Sequence, residues 1–165
     1  MKTVLITLTL LVVAVIVLFF ILGVMSKSGK PQGLVEGKLS ECPDKPNCVC
    51  TEHYNDDSHF AEPVAIPEDA TTDTFLTLKN VIQEMGGIVQ AESDGYLAAT
   101  FSSAIFSFMD DLEIRIDTVQ KVIHIRSASR VGHSDMGVNR ERVELLRKLY
   151  LKKITQAEKL SLTRR

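Results

Sequence analysis

Residues 4–25 read VLITLTLLVVAVIVLFFILGVM, with no charged residue among them. Roughly 20 consecutive apolar residues are enough to cross the hydrocarbon core of a bilayer as one α-helix. A helix buried inside a soluble fold is rarely apolar on every face. A cleaved signal peptide has an apolar region of only about 7–15 residues, followed by small residues at its cleavage site. This run is longer, and it leads into Leu22-Gly23-Val24-Met25-Ser26, a poor cleavage sequence. The reading is an uncleaved single-pass anchor over residues 1–25, with the membrane as its partner along residues 4–25.

Setting that segment aside, a chain of 165 residues leaves enough for one domain and too little for two. The net charge of -2 gives no basic excess to neutralise a phosphate backbone, and with 6% aromatics and no Trp there is little to stack on bases. No nucleic-acid partner is expected.

Sidedness rests on two opposed signals. Lys2 precedes the apolar run while Lys27, Lys30 and Lys38 follow it, and cations favour the cytoplasmic side, yet long domains translocate largely regardless of charge. The cysteines point outward. Cys42, Cys48 and Cys50 lie in CPDKPNCVC. A structural zinc site wants four ligands at knuckle spacings, and with only His53 and His59 downstream no second knuckle completes one, so no metal is expected. Those two histidines read as solvated loop side chains. A Cys42–Cys48 disulfide closing a Pro-rich loop fits better, leaving Cys50 free or reactive, and disulfides persist outside the cytosol. The expected location is the inner membrane, with the soluble domain on the extracytoplasmic side. Residues 26–67 carry Gly, Pro, Ser and acidic residues with little periodicity, and read as a tether ordered in part around the cysteines.

Residues 68–154 carry the patterned core. Thr72 or Asp73 caps a helix whose Phe75, Leu78, Val81, Ile82 and Met85 share a face, and Gly86-Gly87 ends it. Asp94-Gly95, between apolar segments 88–93 and 96–103, signals a hairpin. A second hairpin is better defined, since Leu112, Ile114 and Ile116 alternate with charged residues, as do Ile123 and Ile125. Pairing Asp117 with Val122 sets Ile114 opposite Ile125, Ile116 opposite Ile123, Glu113 opposite Arg126 and Arg115 opposite His124. One face is then core and the other a solvated, charge-paired surface. From Asn139, NRERVELLRKLYLKKI places Val143, Leu146, Leu149, Tyr150 and Ile154 on one helical face, and residues 155–165 read as a frayed polar tail. The expected fold class is α+β: an N-terminal transmembrane helix, then a four-stranded antiparallel sheet with two helices packed on one face.

The densest polar segment runs from Arg126 to Arg142, as RSASRVGHSDMGVNRER. Gly132 and Gly137 permit positive φ, the helix start offers free N–H groups, and arginines can fork onto a carboxylate or phosphate. The candidate ligand set is Arg126, Arg130, Ser134, Asp135, Asn139 and Arg142, with Asp110 and Asp111 on the neighbouring strand, all expected to converge on one side of the sheet. The same residues admit a purely structural reading, in which Ser134 or Asp135 arranges the loop, Asn139 caps the helix and the arginines pair with Asp110, Asp111 and Asp135. His133-Ser134-Asp135 has no triad geometry by adjacency alone and no nucleophile elbow, so no catalytic residue is assigned and no cofactor is expected.

Pro46-Asn47-Cys48-Val49, Asp110-Asp111 and above all RSASRVGHSDMGVNRERVELL resemble the domain of unknown function 1499 family, over roughly residues 39–150. That resemblance implies a small bacterial, cyanobacterial or plastid protein, often with an N-terminal membrane segment, and implies no particular activity, as the family name records. The family pattern falls on Cys42, Cys48, Asp110, Asp111, Arg126, Ser127, Ser129, Arg130, Gly132, Ser134, Asp135, Gly137, Asn139 and Arg142, whereas Cys50 is an addition of this chain. The functional expectation is a membrane-tethered, non-enzymatic binding or scaffold domain for a small anionic ligand or an envelope protein. Its alternative is a hydrolase or transferase acting on an anionic envelope metabolite, with arginines clamping substrate and Asp110 or Asp111 as general base. A third reading takes Ala104-Ile105-Phe106-Ser107-Phe108 as a loop that touches a membrane or a partner, although so short an apolar run is more often buried core.

Overall fold

The computed structural model describes residues 1–67 and 73–163. The apolar run forms α1 (Lys2–Ser26), a helix long and apolar enough to cross a membrane, with none of its most apolar window buried against the rest of the chain. Its last turns differ: Gly23 and Ser26 are buried, because the domain begins by packing against them.

Asp73 caps α2 (Thr74–Glu84) by accepting from the backbone N–H groups of Phe75 (2.9 Å) and Leu76 (3.2 Å); the alternative cap, Thr72, lies outside the described residues. The two expected hairpins follow. Strands β5 (Ile88–Ser93) and β6 (Tyr96–Ser102) turn at Asp94-Gly95, with Gly95 at φ 69, a conformation glycine adopts without steric cost. Strands β7 (Met109–Asp117) and β8 (Val122–Ser129) pair in the register that alternation dictates, Ile114 opposite Ile125 and Glu113 opposite Arg126. Leu78, Val81 and Ile82 of α2 join Leu97, Phe101, Leu112, Ile114, Ile123 and Ile125 of these strands in one buried cluster. Val143, Leu146, Tyr150 and Ile154 of α3 (Val138–Leu162) complete it.

Three expectations need correcting. The sheet has six strands: β3 (Cys48–Cys50) and β4 (Val64–Ala65), from the stretch read as a tether, both pair with the free edge of β8, giving the order β3-β8-β7-β6-β5. Such short segments carry no readable alternation. Within the same stretch β1 (Leu34–Val35) and β2 (Lys38–Leu39) form a small ribbon. Second, the face opposite the main core is covered: Glu113 is 0% exposed and Arg126 2%, with Leu39, Cys50, Tyr96 and Ala98 forming a second small apolar cluster. Third, α3 continues to Leu162, past the point where fraying was expected. The sequence after Ile154 is polar but holds no Gly or Pro to stop a helix.

Candidate anion-binding site

The candidate residues fall into two clusters on opposite faces of the sheet. Side chains alternate along a strand, so Asp110 and Asp111, though adjacent, point apart, and the expected convergence on one side does not occur. Asp110 shares the face of Leu112 and Ile114 and accepts from Arg142 of α3 at 2.7 Å. The Arg142 guanidinium lies 4.6 Å from the ring centre of Phe101 and also donates to Ser127 Oγ and Asn139 Oδ1. Asn139 is fully buried. Its amide N–H groups donate to the Asn47 carbonyl and Ser129 Oγ, both at 3.0 Å, and its Oδ1 accepts from Ser127 Oγ at 2.6 Å. Every polar atom of the amide is used, so this cluster ties the cysteine loop, β8 and α3 together. Asn139 is therefore an internal strut; the N-cap position of α3 is Gly137, and Asp135, two residues before it, accepts from the N–H groups of Gly137 (3.0 Å) and Asn139 (2.7 Å). Ser134 Oγ accepts from Met136 N–H within the same loop.

On the other face, Arg126 donates to Glu113 Oε2 at 3.0 Å, while Glu113 Oε1 accepts from Tyr96 Oη (2.8 Å) and Gly33 N–H (2.7 Å). Burial and the neighbouring Glu113 push the Tyr96 phenol well above its ordinary value, so it remains a donor. Arg130 forks onto Asp111, with contacts of 3.1, 3.0 and 2.8 Å, and reaches the carbonyls of Ser26 and Lys27 at the end of α1. A cation at a helix C-terminus is electrostatically favoured.

Beside this second cluster lies a cavity of about 240 Å³ lined by Lys30, Lys45, Asn47, Asp111, Arg126 and Arg130, among others. Arg126 Nε is buried and has no hydrogen-bond partner among the described residues. Neither Lys30 nor Lys45 has an ion-pair partner among them either. Glu113 and Asp111 already neutralise the two arginines, so the two lysines set the positive balance of the cavity.

The family described as Protein of unknown function (DUF1499) matches residues 38–149, more than half of the chain. The chain belongs to the DUF1499 family. No curated protein and no solved structure matches it. In this DUF1499 member the matched stretch contains the disulfide, the first cluster and the sheet side chains of the second, while α1, Lys30 and Gly33 lie before it. Cys42 and Cys48 are bonded, with Cα atoms 5.7 Å apart, and Cys50 is a free buried thiol. Burial raises the Cys50 pKa, which keeps the sulfur protonated and unreactive.

A further cavity of about 370 Å³ is lined by Lys45, Ser58, His59, His133, Asp135 and Arg140, with others. His59 was expected to be a solvated side chain; it is 7% exposed. Its Nδ1 lies 2.6 Å from Asp56 Oδ2 and its Nε2 2.9 Å from the Lys45 carbonyl, so both ring nitrogens face oxygen and the ring pins the cysteine loop. The Ser58 hydroxyl, and then His59, hold the Asp56 carboxyl below its usual range. Ser58 sits on the same Nδ1 as Asp56, an arrangement that leaves no ring nitrogen to activate the serine. His53 is half-buried, its Nε2 2.7 Å from the Leu39 carbonyl. Among the described residues no group of three or more His, Cys, Asp or Glu is placed to hold a metal ion. Lys30, Lys45, Asn47 and Glu113 were not singled out as site residues. Glu113 has a signal in its register opposite Arg126, and Asn47 in the Pro46-Asn47-Cys48-Val49 motif; Lys30 and Lys45 reach the site through chain reversals that periodicity does not encode.

Proposed function

We propose that this protein is a single-pass, membrane-tethered binding domain without catalytic activity, which takes an anionic group into the cavity between Lys30, Lys45, Arg126 and Arg130. The observation that carries this reading is Arg126, whose buried Nε has no hydrogen-bond partner among the described residues, lining one cavity with two lysines that have no ion-pair partner among them. A buried donor left unsatisfied costs about 1–3 kcal/mol, a cost that an incoming oxygen acceptor would remove. Placement supports it as well, since Gly29 and Lys30 of the lining follow directly on the end of α1, at the level where anionic headgroups would lie. The Cys42–Cys48 bond supports an extracytoplasmic domain on the inner membrane, because such bonds persist in oxidising compartments. The hydrolase or transferase alternative needs Asp110 or Asp111 as a base, and both are ion-paired to arginines.

Calorimetric titration of the full chain in lipid nanodiscs with inorganic phosphate tests the reading. Saturable binding that weakens at least tenfold in Lys30→Ala/Lys45→Ala, at unchanged thermal stability, is expected. Equal affinity in parent and variant would remove the cavity from consideration.

A further inference from the structure

We infer that the loop joining β6 to β7, residues 103–108, is a second membrane contact that inserts into the bilayer beside the last turns of α1. The inference rests on α1 being membrane-embedded. Three aromatic contacts place the loop. The Phe106 ring lies 5.1 Å from that of Phe19 and 5.2 Å from that of Phe20, and Phe108 lies 6.2 Å from Phe19. At 1.5 Å per residue, Phe19 sits about 10 Å before Ser26 along the helix axis, so the loop runs back along the anchor into the span. Its backbone lies against the helix at Gly23, where an added Cβ would sit 1.8 Å from the Phe106 carbonyl oxygen.

Bilayer insertion requires that backbone groups find partners inside the protein. Ser103 N–H donates to the Phe108 carbonyl and Phe108 N–H to Ser103 Oγ, both at 2.9 Å, and Met109 N–H donates to Ser26 Oγ at 3.0 Å. The base of the turn therefore closes on itself and on α1, while the N–H groups of residues 104–107 at its tip have no hydrogen-bond partner among the described residues. No charged residue occurs between Phe101 and Met109, and Ile105 at the tip is 73% exposed. Whatever surrounds Phe19 and Phe20 of α1 also surrounds Phe106. For a helix in a bilayer that surrounding is lipid, so the occupant of this surface is the bilayer itself.

The chain has no Trp, so single tryptophans report position cleanly. Leu11→Trp, Ile105→Trp and Val119→Trp would each be made in the full chain and reconstituted in phosphatidylcholine vesicles containing lipids brominated along the acyl chain. Val119, at the opposite hairpin turn, is 91% exposed. The expected result is blue-shifted, bromine-quenched emission from the Leu11 and Ile105 variants and water-like, unquenched emission from the Val119 variant. If Leu11→Trp is quenched while Ile105→Trp emits as in water, the anchor stands and the loop inference is overturned, leaving the loop for a protein partner. If Leu11→Trp is unquenched, both readings fall. Equal quenching at Val119 also overturns the loop contact, because the domain would then lie on the bilayer by another face.

Discussion

Glu113 accepts three hydrogen bonds, from Arg126, Tyr96 and Gly33, in a place with no exposure to solvent. Its net contribution to stability is modest, because desolvating two charges offsets much of their attraction. Removing one partner is another matter. Arg126→Met leaves a buried carboxylate without its counter-ion and is expected to cost about 3–5 kcal/mol in denaturant unfolding, whereas Glu113→Gln/Arg126→Met should recover a large part of that loss. A single-variant cost below about 1 kcal/mol would place the pair in solvent. His124 carries a pH signature on the same face. Burial, opposed in part by nearby Glu52, lowers its pKa below the ordinary value, and its Nδ1 has no partner among the described residues. The unfolded chain therefore binds a proton more readily, so the His124 contribution is complete above about pH 6.5 and is lost as pH falls from there towards the folded value. Melting of the full chain in detergent between pH 8 and 5.5 should show a smaller acid-induced drop in Tm for His124→Gln than for the parent; identical slopes would contradict the assignment. His59, held between Asp56 and Lys45, is present in both proteins and cancels in the comparison.

Among the elements, β3 is the one whose attachment depends on a covalent link, since it begins at Cys48, the second half of the disulfide. Opening so short a loop is expected to cost about 2 kcal/mol on the chain-entropy account. Cys42→Ser/Cys48→Ser should therefore lower Tm, and Cys50 should resist alkylation until the domain unfolds. Rapid labelling of Cys50 in the folded protein would show that β3 is not seated. The contrast between β3 and β7–β8 explains what the sequence could disclose. Leu112, Ile114, Ile116, Ile123 and Ile125 alternate over strands long enough to fix a register, and the structure keeps that register residue by residue. The same alternation puts Asp110 and Asp111 on opposite faces, so the residues expected at one site form two clusters. Nothing in Cys48-Val49-Cys50 or Val64-Ala65 announces a strand, because their partner is the far edge of β8 and the choice is made at long range. Burial of the Glu113 face was illegible for the same reason: its cover comes from Gly33 and Leu39, in a stretch whose composition reads as linker.

At the scale of the whole molecule, the question is whether the domain swings on a tether or is fixed to α1. Arg130 bears on this directly, since it bonds Asp111 on the sheet and the carbonyls of Ser26 and Lys27 at the end of α1, while Ser26 Oγ accepts from Met109 N–H. Charged hydrogen bonds of this kind are worth about 1.5–3 kcal/mol. If they hold the joint closed, opening of residues 27–30 should become roughly ten- to a hundredfold more frequent in Arg130→Ala. Trypsin reads that opening at Lys27 and Lys30, two exposed lysines that a protease can cut only when the backbone around them comes free. The full chain in vesicles should be cut slowly there, and the Arg130→Ala chain faster by that factor. Cleavage at Lys152 and Lys153 within α3 measures global unfolding, which Arg130→Ala also raises by leaving Asp111 buried without its counter-ion, so the joint is read as the acceleration at Lys27 and Lys30 in excess of that at Lys152 and Lys153. Equal rates at Lys27 and Lys30 in both proteins would mean that the joint is already open, and the domain would then have to be described as freely tethered.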